Sequence, residues 1–80
     1  MLKIELFYNG DTDKTTPAKA DELISKYGGK IDLYLVDVSK ETSPAKYGTI
    51  NPPEIVIGGK QKFKLDGQED LSGIVAHAIF

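Results

Sequence analysis

The stretch Thr49-Ile50-Asn51-Pro52-Pro53-Glu54-Ile55-Val56-Ile57-Gly58-Gly59 constrains the fold of this chain more than any other. A proline has no N–H to give to a sheet ladder, so beside a buried strand it stands at the first residue or just outside. The two prolines therefore mark where a strand begins, Glu54 to Ile57 form it, and the glycine pair stops it. An X-Pro bond prefers trans by only ~0.5–1 kcal/mol, so packing at this point can select cis at low cost.

The rest of the chain supplies elements that such a strand can pair with. Residues 2–8 alternate, with Leu2, Ile4, Leu6 and Tyr8 on one face and Lys3, Glu5 and Phe7 on the other, which reads as a strand. Polar turn residues Asn9 to Thr15 end it. Thr16-Pro17 predicts a helix start, with a hydroxyl cap and then proline at the first helical position. Ala20, Leu23, Ile24 and Tyr27 form its apolar stripe, Lys26 occupies its last turn and Gly28-Gly29 close it. From Ile31 to Val38 both faces are apolar, the pattern of a parallel strand buried on two sides. Ser43-Pro44 repeats the cap-plus-proline opening for a helix of little more than a turn, closed by Gly48.

Gly58-Gly59-Lys60 reads as a hairpin turn. Gln61 to Leu65 then returns antiparallel, with Phe63 and Leu65 inward and Lys62 and Lys64 facing water as edge protection. Asp66 with Glu69 predicts a capped last helix, whose stripe is Leu71, Ile74, Val75 and Ala78 with Ile79 beside it. The order is β-α-β-α-β-β-α.

Eighty residues predict one small domain, 1–80, with a modest core. There is no run of ~20 apolar residues, and Met1-Leu2-Lys3-Ile4-Glu5 is not a signal-peptide start. These features predict a cytoplasmic protein that does not meet a membrane. A net charge of −2, with ten lysines and no arginine, argues against nucleic-acid partners. There is no cysteine and only one histidine, which excludes disulfide frameworks, zinc clusters and thiol catalysis.

Tyr47-Gly48, followed by four residues and then Pro53 and Glu54-Ile55-Val56-Ile57, resembles the segment before the third strand of thioredoxins. The match identifies the chain as similar to the thioredoxin-like superfamily, of thioredoxin or glutaredoxin type but lacking Cys-x-x-Cys. The resemblance implies an α/β fold with a four-stranded mixed sheet of order 2-1-3-4, the fourth strand antiparallel, flanked by helices. It also implies a cis Pro52–Pro53 bond. A weaker resemblance joins Leu6-Phe7-Tyr8-Asn9-Gly10-Asp11-Thr12 and Leu33 to Val38 to the family of the circadian clock protein KaiB. That family also lacks the active-site cysteines and works by protein binding. The hairpin from Gly58 and the last helix depart from it.

In thioredoxins the dithiol lies at the position of about Lys14-Thr15-Thr16-Pro17. A threonine hydroxyl cannot replace a thiolate in disulfide exchange, so an enzyme is not expected, nor any cofactor. The resemblance leaves a groove between the first helix and the cis-proline, which takes extended peptides or a small anionic thiol compound. The groove candidates are Asp13, Lys14, Thr15, Thr16, Pro17, Asn51, Pro52, Pro53 and Glu54. A non-catalytic module binding a protein or peptide is the first reading. The alternative is an oxidoreductase family member whose cysteines were lost or replaced.

Three further features are read as surface chemistry. Asp11, Asp13 and Glu22 have calcium-loop spacing, but Thr16 stands where the loop needs glycine, so they are turn residues and no metal is expected. His77 is expected on the solvent side of the last helix. Lys60, Lys62 and Lys64 are expected to form a solvated ridge.

Overall fold

β1 (Leu2–Tyr8) is an inner strand of the sheet, with a neighbour on each side. Its Leu2 N–H donates to Lys30 O, and Tyr8 O accepts from the Val38 N–H, so its even residues bond one neighbour. Lys3 O accepts the Gly58 N–H, so its odd residues bond the other. These neighbours are β2 (Ile31–Asp37), which is parallel to β1, and β3 (Glu54–Ile57), which is antiparallel to it. β4 (Gln61–Lys64) pairs antiparallel with β3. The sheet order is β2-β1-β3-β4, as the resemblance implies. α1 (Thr15–Tyr27) joins β1 to β2, and α2 (Glu69–Ile79) follows β4. The computed structural model describes residues 1–42, 45–65 and 69–79.

The register sorts the side chains onto two faces. Ile4, Leu6, Ile31, Ile55 and Ile57 point to one face, where Ala20 and Leu23 of α1 and Leu71 and Val75 of α2 complete the core. Each such side chain contributes about 1.5–3 kcal/mol when fully buried. The other face carries Glu5, Phe7, Glu54 and Val56, all buried, under a single 3₁₀ turn, Ala45–Tyr47. Gly48 ends that turn with φ +71, a left-handed position that glycine fills without strain. The short helix expected before it is thus one 3₁₀ turn, and its Ser43-Pro44 opening lies outside the described residues.

Several expectations need correction. α1 starts at Thr15, with Pro17 third, still in the first turn, whose N–H groups have no intrahelical partner. Its inward stripe is Thr16, Ala20, Leu23 and Tyr27, while Ile24 is 46% exposed. Gly28 stays right-handed at φ −54, because Lys30 N–H turns back to Tyr27 O at 2.7 Å. β2 is not buried on both faces. It ends the sheet, so Tyr34 and Leu35 remain 47% and 37% exposed.

Phe63 is 39% exposed, since a groove of about 510 Å³ separates it from Ile74 and His77 of α2. Along α2, Leu71 and Val75 are buried, Ile74 and Ile79 half-buried, and Ala78 exposed. Its Asp66 cap lies outside the described residues.

Candidate partner-binding site

The nine groove candidates come to one end of the sheet. β1 runs into the Asn9–Lys14 loop at the end where β3 begins, because Phe7 pairs with Glu54. Asn9 organises that loop. Its carbonyl accepts the N–H of Thr12 and of Asp13, and its Oδ1 accepts the N–H of Asp11. Lys14 Nζ closes the turn on Gly10 O at 2.6 Å. Gly10 is required there, since a Cβ on it would lie 1.9 Å from a carboxylate oxygen of Asp37. That carboxylate accepts the N–H of Gly10 and both the N–H and hydroxyl of Ser39, tying the loop to the end of β2. The Ser39 hydroxyl and Gly10 N–H hold the Asp37 carboxyl below its ordinary range.

The start of α1 is capped from within. Asp13 Oδ1 accepts the N–H of Thr15 at 3.0 Å and of Thr16 at 2.9 Å, and Oδ2 accepts the Thr16 hydroxyl at 2.5 Å. Burial raises the Asp13 carboxyl pKa, but the Thr16 hydroxyl and the two N–H groups outweigh it and hold it low. The cap is thus Asp13, in place of the expected Thr16, and Thr16 is buried. A helix N-terminus attracts anions through its first N–H groups, and here a carboxylate of the chain itself already takes two of them. With both its oxygens engaged, Asp13 faces its own backbone. Among the described residues no three acidic or histidine side chains gather as a metal site.

The remaining candidates lie in the bend before β3. The Pro52–Pro53 peptide bond is cis, Asn51 is exposed, and the two prolines are half-buried. Glu54 does not line a groove. It is 4% exposed, and its carboxylate accepts the Asn51 N–H at 2.5 Å and lies 3.9 Å from Lys62 Nζ.

Lys60, Lys62 and Lys64 are exposed, as expected of a solvated ridge, and the ammoniums of two of them also turn back onto the bend. Lys62 Nζ donates to Tyr47 O and Thr49 O, both at 3.0 Å, and Lys64 Nζ donates to Asn51 O and Pro52 O at 2.7 and 3.1 Å. The two lysines staple residues 47–52 across the end of the sheet. Tyr47 adds a hydrogen bond from its hydroxyl to Glu5 and an edge-on ring contact with Phe7, centroids 6.0 Å apart.

Five residues that hold the site, Glu5, Asp37, Tyr47, Lys62 and Lys64, were not among the sequence candidates. For the lysines the only available signal was their alternation on the strand after the hairpin. Exposed candidates are Lys14, Thr15 and Asn51, with Asp13, Pro17, Pro52 and Pro53 half-buried beside them. His77 is exposed and lines the groove between β4 and α2.

A central strand flanked by one parallel and one antiparallel neighbour, a helix after the first strand, and a hairpin and a helix after the third define a thioredoxin-like fold. The chain carries it without the Cys-x-x-Cys dithiol. Among solved structures it is similar to the germline-specific thioredoxin Deadhead of Drosophila melanogaster, with TM-score 0.78 and 20% identity over 95% of this chain and 79% of that one. No family model and no curated protein matches the sequence. At that identity the likeness is one of fold.

Proposed function

We propose that this chain is a non-catalytic thioredoxin-like module that binds a protein or peptide partner through the groove between Lys14–Pro17 and Asn51–Pro53. The observation that carries the reading is the bend itself. Two lysine ammoniums and one buried carboxylate are spent on holding residues 47–52 in place, while Asn51 is left exposed. A surface braced in this way loses little conformational entropy on binding. The absence of any thiol supports a binding role over disulfide exchange, since no other side chain here supplies the nucleophile. Because Asp13 occupies the helix N-terminus, the occupant suited to the groove is an extended, uncharged or basic peptide more than an anion. A cytoplasmic setting belongs to the same proposal.

The test is a selection from a random peptide library, followed by amide-shift mapping of a selected peptide on the labelled protein. Shifts concentrated at 10–17 and 50–54 support the reading, with Lys64→Met weakening the peptide several-fold. Shifts confined elsewhere overturn it. Insulin-disulfide reduction should show no turnover, and measurable turnover would also overturn it.

A further inference from the structure

Among the described residues the sheet has two unpaired edges, and they are built differently. In β4 the residues that bond β3 are the odd ones, as Leu65 N–H donating to Pro53 O shows. The outward backbone of that edge therefore belongs to Lys62 and Lys64, in a strand of four residues. Short length and lysines are the usual guards of an edge strand. β2 has neither. It is seven residues long, Ile31-Asp32-Leu33-Tyr34-Leu35-Val36-Asp37, with no lysine and no proline. Its even residues bond β1, so the backbone groups of Ile31, Leu33 and Leu35 point away from the sheet. Tyr34 and Leu35 are among the large apolar side chains that the chain exposes.

We infer that β2 is a self-association edge, pairing antiparallel with β2 of a second copy about a two-fold axis at Tyr34. A partner for this edge must bring outward N–H and C=O groups at two-residue spacing over a matching length, and β2 itself meets that need. The register about Tyr34 sets the outward residues Leu33 and Leu35 opposite one another twice, as hydrogen-bonded pairs. Asp32 then faces Val36 and Asp37 faces Ile31, so no like charges are opposed. The strand is entered from Lys30 and ends at Asp37, so reversing one copy brings a basic end beside an acidic end at both extremities. The two Tyr34 side chains meet at the axis on the face that no helix covers. Pairing β2 with β4 would instead build an open chain of copies, and it would set the apolar strand against Lys62 and Lys64; the symmetric pairing closes.

A strand edge about 23 Å long covers less than a standard interface, so the dimer dissociates on dilution. Sedimentation across ~5 to ~500 µM should show monomer passing to dimer, with no larger species. Hydrogen exchange at the high end should slow at the Leu33 and Leu35 amides, and stay unchanged at Lys62 and Lys64. Tyr34→Lys, which sets two ammoniums opposite at the axis, should weaken association at least tenfold. Tyr34→Phe should leave it intact, with far-ultraviolet circular dichroism showing both variants folded. A monomer throughout the range overturns the inference. So does a dimer that survives Tyr34→Lys, or protection that appears on β4.

Discussion

The two faces of the sheet are closed by different physics. On the helix face, Ile4, Leu6, Ile55 and Ile57 meet Leu23, Leu71 and Val75, and apolar burial does nearly all the work. On the other face, one 3₁₀ turn lies over Glu5, Phe7, Glu54 and Val56, and the closure depends on specific hydrogen bonds. Tyr47 hydroxyl meets Glu5, Asn51 N–H meets Glu54, and two lysines hold carbonyls of residues 47–52. Burial is non-directional and tolerates small shifts, whereas hydrogen bonds lose most of their value when misaligned. The thinly covered face is therefore the one that determines the shape of the bend, and the proposed groove sits at its end.

Leu6→Ala should have the largest effect, a loss of about 2–5 kcal/mol in urea unfolding, because it empties a fully buried position between sheet and helices. The loss should be the same at low and high salt. A marked salt dependence would break the distinction between the faces.

Glu54→Ala comes next. It leaves the Asn51 N–H without its acceptor, removes the carboxylate beside Lys62 and should cost about 1–3 kcal/mol. It should also move the amide resonances of 49–53 far more than those of α1 and α2. If Glu54→Ala were neutral, or if its shifts spread evenly through the helices, the polar closure assigned to this face would be wrong.

The same contrast explains what could be read from the sequence. Period-two alternation located β1 and β4, apolar runs bounded by turn residues located β2 and β3, and period-three-to-four stripes located both helices. The strand order followed from the Tyr47-to-Pro53 resemblance, which local patterns alone do not contain. What escaped was directional and non-local. Lys62 and Lys64 alternate as an ordinary charged edge, and nothing in the alternation says that their ammoniums turn back thirteen residues to carbonyls. Glu54 reads as a groove residue because it follows the two prolines, although it is buried in register opposite Phe7. The cap of α1 was placed on Thr16 because hydroxyls favour that role. The helix starts earlier than that, and Asp13, with a charge as well as an oxygen, takes the N–H groups of Thr15 and Thr16.

Tyr47→Phe tests the polar face more gently. It removes the hydroxyl that donates to Glu5 but keeps the ring against Phe7, so the loss should be well below that of Leu6→Ala. The Glu5 hydrogen bond raises the Tyr47 hydroxyl pKa in the folded chain. A raised acid contributes stability that is present below its unfolded pKa and lost as pH rises through the folded one. The wild-type advantage over Tyr47→Phe should therefore shrink in strong alkali. An advantage that grew with alkali would remove the Glu5 bond from the account.

The smallest effect belongs to a carboxylate that is not deeply buried. Asp13→Asn keeps an oxygen for the Thr15 and Thr16 N–H groups but removes the negative charge at the start of α1. The expected loss at neutral pH is about 0.3–1 kcal/mol, the usual value of such a charge at a helix N-terminus. Its sign with pH follows from the lowered Asp13 pKa. A depressed carboxyl contributes stability that is complete above its unfolded pKa and disappears as pH falls through the folded value. The difference between wild type and Asp13→Asn should thus be constant near neutrality and close in acid, below the ordinary aspartate range. Urea titrations of both proteins from neutral pH into that range measure it. If the gap instead widened in acid, Asp13 would be a strained group and not the cap of α1, and the helix N-terminus would again be open to an anionic ligand.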